Sequence, residues 1–172
     1  MKEMSMSLKI YTIGHSNLEP DEFIKRVKEF NIEVLVDVRS KPYSQYVPHF
    51  NKGKIEQLCE NNGVKYLFLG NLLGGKPEDN SVVDEEGKVN YGLLTKKDYF
   101  LAGIDRLLNL TKKYRICLMC SEGQPDECHR NLLISPVLEK MGIEVLHILP
   151  DGTVINSEQL RLEANKGQLA LF

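Results

Sequence analysis

Apolar residues follow two alternating rhythms along this chain. Five short runs, 8–13 (LKIYTI), 33–38 (EVLVDV), 64–69 (VKYLFL), 116–119 (ICLM) and 143–149 (IEVLHIL), read as strands buried on both faces. The segments between them carry the helical period. Phe23, Ile24, Val27 and Phe30 share one face behind Pro20 and Asp21, which suit a first helical turn. Ile55, Leu58 and Cys59 predict a second helix that stops at Asn61-Asn62-Gly63, a left-handed cap. Thr95 to Asp98 has the spacing of a capping box ahead of Phe100, Ile104, Leu107 and Leu108. Leu132, Leu133, Val137 and Met141 predict a fourth helix, in which Pro136 either kinks the axis or resets the start. Pro150-Asp151-Gly152 reads as a turn, and the tail from Ser157 begins as a short helix.

Strand and helix alternating four times, then a strand, predict an α/β fold: three layers, with a mostly parallel five-stranded sheet and helices on both faces. Right-handed crossovers place all five strand ends on one rim. A single domain is expected over residues 1–156, followed by a C-terminal tail, 157–172, with no internal repeat or low-complexity segment. From Asn71 to Lys96 both rhythms lapse into glycines, a proline and mixed charges. A patternless stretch of that length inside a domain predicts a binding loop or lid.

Composition narrows the picture. At 172 residues, 42% hydrophobic and 27% charged, the chain can build one sizeable core. A net charge of −2 excludes bulk attraction to nucleic acid or an anionic membrane, so any such contact needs a local basic patch. No apolar run is long enough to span a bilayer, and the residues before Leu8 are too polar for a secretory signal. A cytoplasmic protein with reduced thiols and no membrane partner is expected.

The strand ends carry the chemistry. His15 and Ser16 follow the first strand, Asp37, Arg39 and Ser40 the second, Gly70 the third, and Cys120, Ser121 and Glu122 the fourth. In an open parallel sheet, ligands bind at these ends. Cys120 stands where an apolar run gives way to hydrophilic residues. Beside a helix start and an Arg or His its thiol would ionise readily, which makes it the candidate nucleophile, with His129 or His15 as acid–base partner. Arg39 and Arg130 offer two-pronged donors to a phosphate or carboxylate. Asp37 and Arg39 point to opposite faces if the strand stays extended. Cys59 and Cys117 lie within apolar patterns and are expected in the core. No cofactor is expected. The metal alternative is a zinc site of Cys120, Cys128, His129 and His15. A phosphate-binding loop is absent, since no Ser or Thr follows Lys76 in NLLGGK.

YTIGHSN after the first strand, LVDVRSKPYS after the second, YLFLGNLLGGKP after the third, and MCSEGQPDECHR together resemble the family called domain of unknown function 488, from about Leu8 to Leu149. The resemblance implies an α/β domain whose shared polar residues match His15, Ser16, Asp37, Arg39, Ser44, Cys120, Cys128, His129 and Arg130. It brings no reaction with it. Members often carry an arginine after the Gly-Gly pair, where this chain has Lys76. The expected anion-binding set is therefore Ser16, Asp37, Arg39, Ser44, Lys76 and Arg130.

The last residues, Gln168-Leu169-Ala170-Leu171-Phe172, resemble the Q-L-x-L-F peptide by which bacterial replication and repair proteins dock on the sliding clamp. Gln168, Leu169, Leu171 and Phe172 would be the contacts, in a segment that orders on binding. The other reading is a terminal hook covering the domain's own core. Three functions follow: a Cys-dependent hydrolase or transferase acting on a phosphate-bearing nucleotide or nucleic acid, a non-catalytic DNA-repair accessory module recruited by the tail, and a zinc-stabilised interaction domain.

Overall fold

The five apolar runs do pair in parallel, and a sixth strand joins them. The computed structural model describes residues 8–126 and 128–170. Its strands are β1 (Lys9–Gly14), β2 (Val34–Asp37), β3 (Lys65–Phe68), β4 (Ile116–Cys120), β5 (Glu144–Ile148) and β6 (Val154–Asn156), in the order β3-β2-β4-β1-β5-β6. The first five are parallel, and β6 runs antiparallel to β5. Six strands instead of five is a correction with a local cause. Pro150 to Gly152 is a hairpin turn, with Gly152 at φ +87°, and the returning strand is only three residues long, too short to show a period.

The helices are α1 (Pro20–Glu29), α2 (Lys52–Asn61), α3 (Gly70–Leu73), α4 (Tyr91–Leu94), α5 (Asp98–Thr111), α6 (Ser135–Lys140) and α7 (Ser157–Ala170). Strand alternation sorts the core onto two faces. Ile10, Val34, Val36, Leu118 and Val145 meet Phe100, Ile104 and Leu107 of α5 and Leu138 of α6. Tyr11, Ile13, Leu35 and Met119 meet Phe23 and Val27 of α1 and Ile55 of α2. Cys59 and Cys117 belong to the second face and are fully buried, as expected.

Three helical expectations change. The stretch from Asn71 to Lys96 is a packed wall with short elements: α3, a 3₁₀ turn (Asn80–Val82), a Val83–Val89 bridge and α4. It is anchored by Leu73, Val82 and Leu94, all fully buried. Thr95 does not cap α5; it closes α4, its hydroxyl donating to the Gly92 carbonyl, and α5 starts at Asp98. After Cys128 the chain makes a π-helical turn, Arg130–Ile134, in which the Ser135 amide bonds back to the Arg130 carbonyl. Pro136 then sits in the first turn of α6, so it resets the start and does not kink an axis. The wider turn slips the helical register: Leu133, Ile134 and Leu138 go inward, whereas Leu132 and Met141 are about half exposed.

The tail is helical. Asn156 caps α7 by accepting from the Glu158 amide at 2.8 Å, and Ser157 and Arg161 both bond Glu139 of α6. Gln168 and Leu169 lie in the last turn of the α7 backbone, and Leu171 and Phe172 lie outside the described residues. No described helix is long and apolar enough to cross a membrane.

One polar chain runs through the α5/α6 face. Arg130, fully buried, donates to Thr12 Oγ1 of β1 (3.0 Å) and to the carbonyls of Glu122 (3.0 Å) and Gly123 (2.8 Å). Thr12 in turn donates to His147 Nδ1 of β5 at 2.6 Å, and His147 Nε2 donates to Asn131 Oδ1 at 3.2 Å. This hydrogen-bond direction needs a neutral His147, and burial with the Arg130 charge nearby lowers its pKa to about 3. Loop 122–123 thereby lies flat on β1, and a Cβ on Gly14 would fall 1.6 Å from the Glu122 carbonyl oxygen.

Both features give tests. Burial also lowers His15 to about 4, so the unfolded chain takes up protons at these two histidines before the folded one does. Their stabilisation is complete above pH ~6.5 and is lost as pH falls toward ~4, at about 1.4 kcal/mol per pH unit for each. Urea midpoints between pH 4 and 6.5 should show this slope, roughly halved in His147→Gln; a pH-independent midpoint would contradict the network. Gly14→Ala should cost about 3 kcal/mol, the upper end for overpacking, because it meets backbone, read as a lower thermal midpoint.

Candidate functional site

The carboxyl ends of β2 and β4 open into a cleft of about 590 Å³. Its walls are the turn after β2 (39–41), the 75–78 segment with Tyr91, and the 120–122 and 128–129 stretches. Parallel pairing sets these pieces side by side. Gly14 is in register with Cys120, and Asp37 with Met119; beyond the strands the His15 amide bonds the Cys120 carbonyl at 2.9 Å and the Val38 amide the Met119 carbonyl at 3.1 Å. The 75–78 wall is tied down by the Lys76 amide donating to Ser40 Oγ (2.8 Å). It leans so closely on His129 that a Cβ on Gly75 would meet the His129 Cβ at 2.9 Å.

The rim divides into two halves. On the α1/α2 side, Asp37 is fully buried and holds Arg39 through two side-chain bonds, Nε at 2.9 Å and Nη2 at 2.8 Å, while Tyr66 donates to the same carboxylate at 2.6 Å. The expectation that Asp37 and Arg39 point apart fails because the strand ends at Asp37 and the chain turns. Burial and the adjacent Asp37 charge raise the Tyr66 hydroxyl well above its ordinary pKa, so it remains a donor. His15 stacks on Phe50. Its Nδ1 donates to the Ser16 carbonyl (2.8 Å) and its Nε2 accepts from Arg39 Nη1 (3.3 Å). With both nitrogens used and the ring neutral, His15 positions Arg39 and does not line the cleft.

On the other side lie the thiols. Cys120 Sγ and Cys128 Sγ are 2.8 Å apart, closer than unbonded sulfurs ordinarily approach. Glu122 Oε2 is 3.4 Å and His129 Nδ1 3.9 Å from the Cys128 sulfur. His129 Nε2 donates to the Val38 carbonyl at 2.9 Å, which turns the lone pair of Nδ1 toward Cys128. The electrostatics separate the two cysteines. Burial, then the bond to Cys128, drives the Cys120 thiol well above the ordinary range. The bond from Cys120 lowers Cys128 despite burial, aided by the His129 bond and charge and by Arg130. Burial alone would lower His129, but the Cys128 partner and the Val38 carbonyl outweigh it and raise the imidazole's pKa. The proton balance of the site therefore favours a Cys128 thiolate beside a His129 imidazolium, with the proton retained on Cys120. Glu122, which takes the Cys128 hydrogen bond when that thiol is protonated, is the second available base.

Of the expected residues, Cys120, Cys128, His129, Arg39 and Lys76 do meet at the cleft. The others do not line it. Arg130 serves carbonyls and Thr12 inside the fold. Ser44 accepts from the amides of Tyr46 and Val47, closing a turn, and Asp37 lies beneath Arg39. Ser16, at φ +46°, has its hydroxyl on Asn17. Lys41, Tyr91 and the role of Glu122 were missed; Lys41 and Glu122 lie in loops and Tyr91 opens the four-residue α4, where no period marks them. For a shared metal, Cys120, Glu122 and Cys128 form the only suitable group among the described residues, and neither His129 nor His15 is part of it. Two thiolates on one tetrahedral zinc stand roughly 3.7 Å apart, given Zn–S bonds of about 2.3 Å, wider than the separation here.

No curated protein and no solved structure matches the chain. The profile of the family described as domain of unknown function DUF488 matches residues 19–136, a narrower span than the motifs suggest but more than half of the chain. That span runs from α1 into α6 and includes Asp37, Arg39, both cleft cysteines, His129 and Arg130. This α/β chain, with its paired thiols at the sheet's rim, belongs to the DUF488 family.

Proposed function

We propose that the protein is a thiol-dependent enzyme in which Cys128 is the nucleophile, His129 and Glu122 manage its proton, and the substrate carries a phosphate or similar anionic group. The observation that carries this reading is the position of the Cys128 sulfur, 2.8 Å from a thiol donor and 3.9 Å from an imidazole nitrogen whose other side is fixed on a carbonyl. A hydrogen-bonded sulfur facing a cation is stabilised as thiolate, the form that attacks. Cys120, the expected nucleophile, is the wrong partner for that role, because burial keeps its proton on. Lys41 and Lys76 flank the cleft with Arg39. Since Asp37 already neutralises Arg39, the two lysines supply the free positive charge for an anion.

A second reading, a nucleic-acid-binding repair module without turnover, draws on Tyr43 and Tyr46. They are 68% and 85% exposed on the loop after β2, beside Lys41, and exposed aromatics next to lysines suit base stacking along a phosphate backbone. The sliding-clamp contact through Gln168, Leu169, Leu171 and Phe172 belongs to this reading. Deleting residues 168–172 should abolish retention on immobilised clamp; unchanged retention removes it.

For the enzyme, iodoacetamide on the folded protein should label Cys128 alone. The rate should level off by about pH 7, because a lowered pKa means the thiolate is already formed there, whereas an ordinary thiol near 8.5 would still be gaining. Cys120→Ala should move the titration upward by removing the donor. Labelling that is absent, or still climbing through pH 9 in the native protein, overturns the assignment. Lys41→Ala with Lys76→Ala should weaken pyrophosphate binding about tenfold, close to 1.4 kcal/mol, measured by calorimetry; equal affinities would remove the anion site.

A further inference from the structure

The proposed nucleophile leaves one group unexplained. Cys120 ends β4 with its side chain on the same face as Cys128, fully buried. A nucleophile needs an acid–base partner, which His129 and Glu122 already provide, and a second thiol in contact with the first is an unusual way to add a hydrogen bond. Thiols are weak donors, so a hydroxyl would serve better. A metal would hold the sulfurs further apart. The chemistry that does need two thiols at this distance is formation of a bond between them. Closing the pair from 2.8 Å to a disulfide of about 2.05 Å takes a movement of less than about 1 Å. The loop between them is held to β1 by the Arg130 bonds to the carbonyls of Glu122 and Gly123, so the sulfurs stay paired without being joined. The other two cysteines sit on the opposite face and are sealed in the core.

We infer that Cys120 resolves a mixed disulfide formed on Cys128, so that the substrate class of this site is a disulfide carrying negative charge; the inference rests on Cys128 being the nucleophile. The Cys128 thiolate attacks one sulfur of the substrate. A bond forms between Cys128 Sγ and that sulfur, the substrate S–S bond breaks, and the first thiolate leaves with the electron pair, to be protonated from the His129 imidazolium. Cys120 then gives its proton to the released base, His129 or Glu122, and its sulfur attacks Cys128 Sγ. The Cys120–Cys128 disulfide forms, and the second thiol departs with that proton. The substrate gains two electrons and two protons, and the protein dithiol is oxidised. An external dithiol reductant returns the pair to its starting state. Burial suits Cys120 to this role: it is kept from outside electrophiles and meets only the sulfur beside it. The lysines that line the cleft select charge, and Tyr91 lines it with them.

Dithiobis(nitrobenzoate), a dianionic aromatic disulfide, is the probe. Mixed with native full-length protein, it should release two nitrothiobenzoate equivalents per chain. The second should appear at a rate independent of probe concentration, and peptide mapping should find residues 120 and 128 joined. Cys120→Ser, and Cys120→Ala as a check on folding, should release one equivalent and keep a stable adduct on Cys128. Cys128→Ser should release none on the same timescale. If the wild-type protein stops at one equivalent with the adduct intact on Cys128, resolution by Cys120 is wrong while the nucleophile assignment stands. If the folded wild-type protein releases none, the nucleophile itself is wrong and this inference falls with it.

Discussion

A guanidinium with no carboxylate beside it holds the site to the sheet. Arg130 is fully buried, and no ion pair among the described residues includes it. Taking such a charge out of water is costly unless its donors are used. Here Nη1 and Nη2 go to Thr12 and to two carbonyls of the cysteine loop, while Nε has no partner, and hydrogen bonds from a charged donor contribute about 1.5–3 kcal/mol each. The same cation adds to the lowering of the Cys128 thiol and opposes, without overcoming, the rise that burial imposes on Cys120. Anchoring the loop and favouring a thiolate at its end are thus one interaction seen from two sides.

The sheet order explains why this anchor is where it is. β4 enters between β2 and β1, so its carboxyl end lies against the turns of both neighbours. The Asp37–Arg39–His15 cluster grows from those turns on one face, and the thiols occupy the other. Arg39 is the member of the first half that lines the cleft, oriented by Asp37 below and His15 behind. Each half is internally satisfied, and they meet over open space. A cavity bordered by groups that no longer need one another is free to take a ligand.

Much of this could be read along the chain, and the failures have physical causes. The five parallel strands and the α1, α2 and α5 faces follow from apolar periodicity, since burial selects for it directly. β6, α3 and α4 were invisible because three or four residues cannot display a period. The helix after Cys128 was misphased because a π turn adds a residue that no apolar count reveals. At the rim, strand-end reasoning brought Cys120 and Arg39 to one cleft, and the Cys128-His129-Arg130 motif pointed to the loop that borders it. Sequence alone could not separate the two cysteines, because the difference between them depends on which sulfur faces His129. Arg130 looked like a ligand for anions, and its actual partners are carbonyls, which every residue has. The missed network did leave a trace: His147 interrupts the apolar run that follows Glu144 in IEVLHIL, and Thr12 does the same after Lys9 in LKIYTI. A polar residue inside a strand buried on both faces must have a partner, and here they share one.

The π turn after Cys128 also has a mechanical meaning. In an unbroken α-helix, Cys128, His129 and Arg130 would be rigidly geared to Leu133 and Leu138, so any adjustment of α6 against the sheet would swing the sulfur out of line. The surplus residue acts as a slip joint between them. A change of side-chain volume below the joint can then be absorbed there while the aim of Cys128 and His129 above it stays constant.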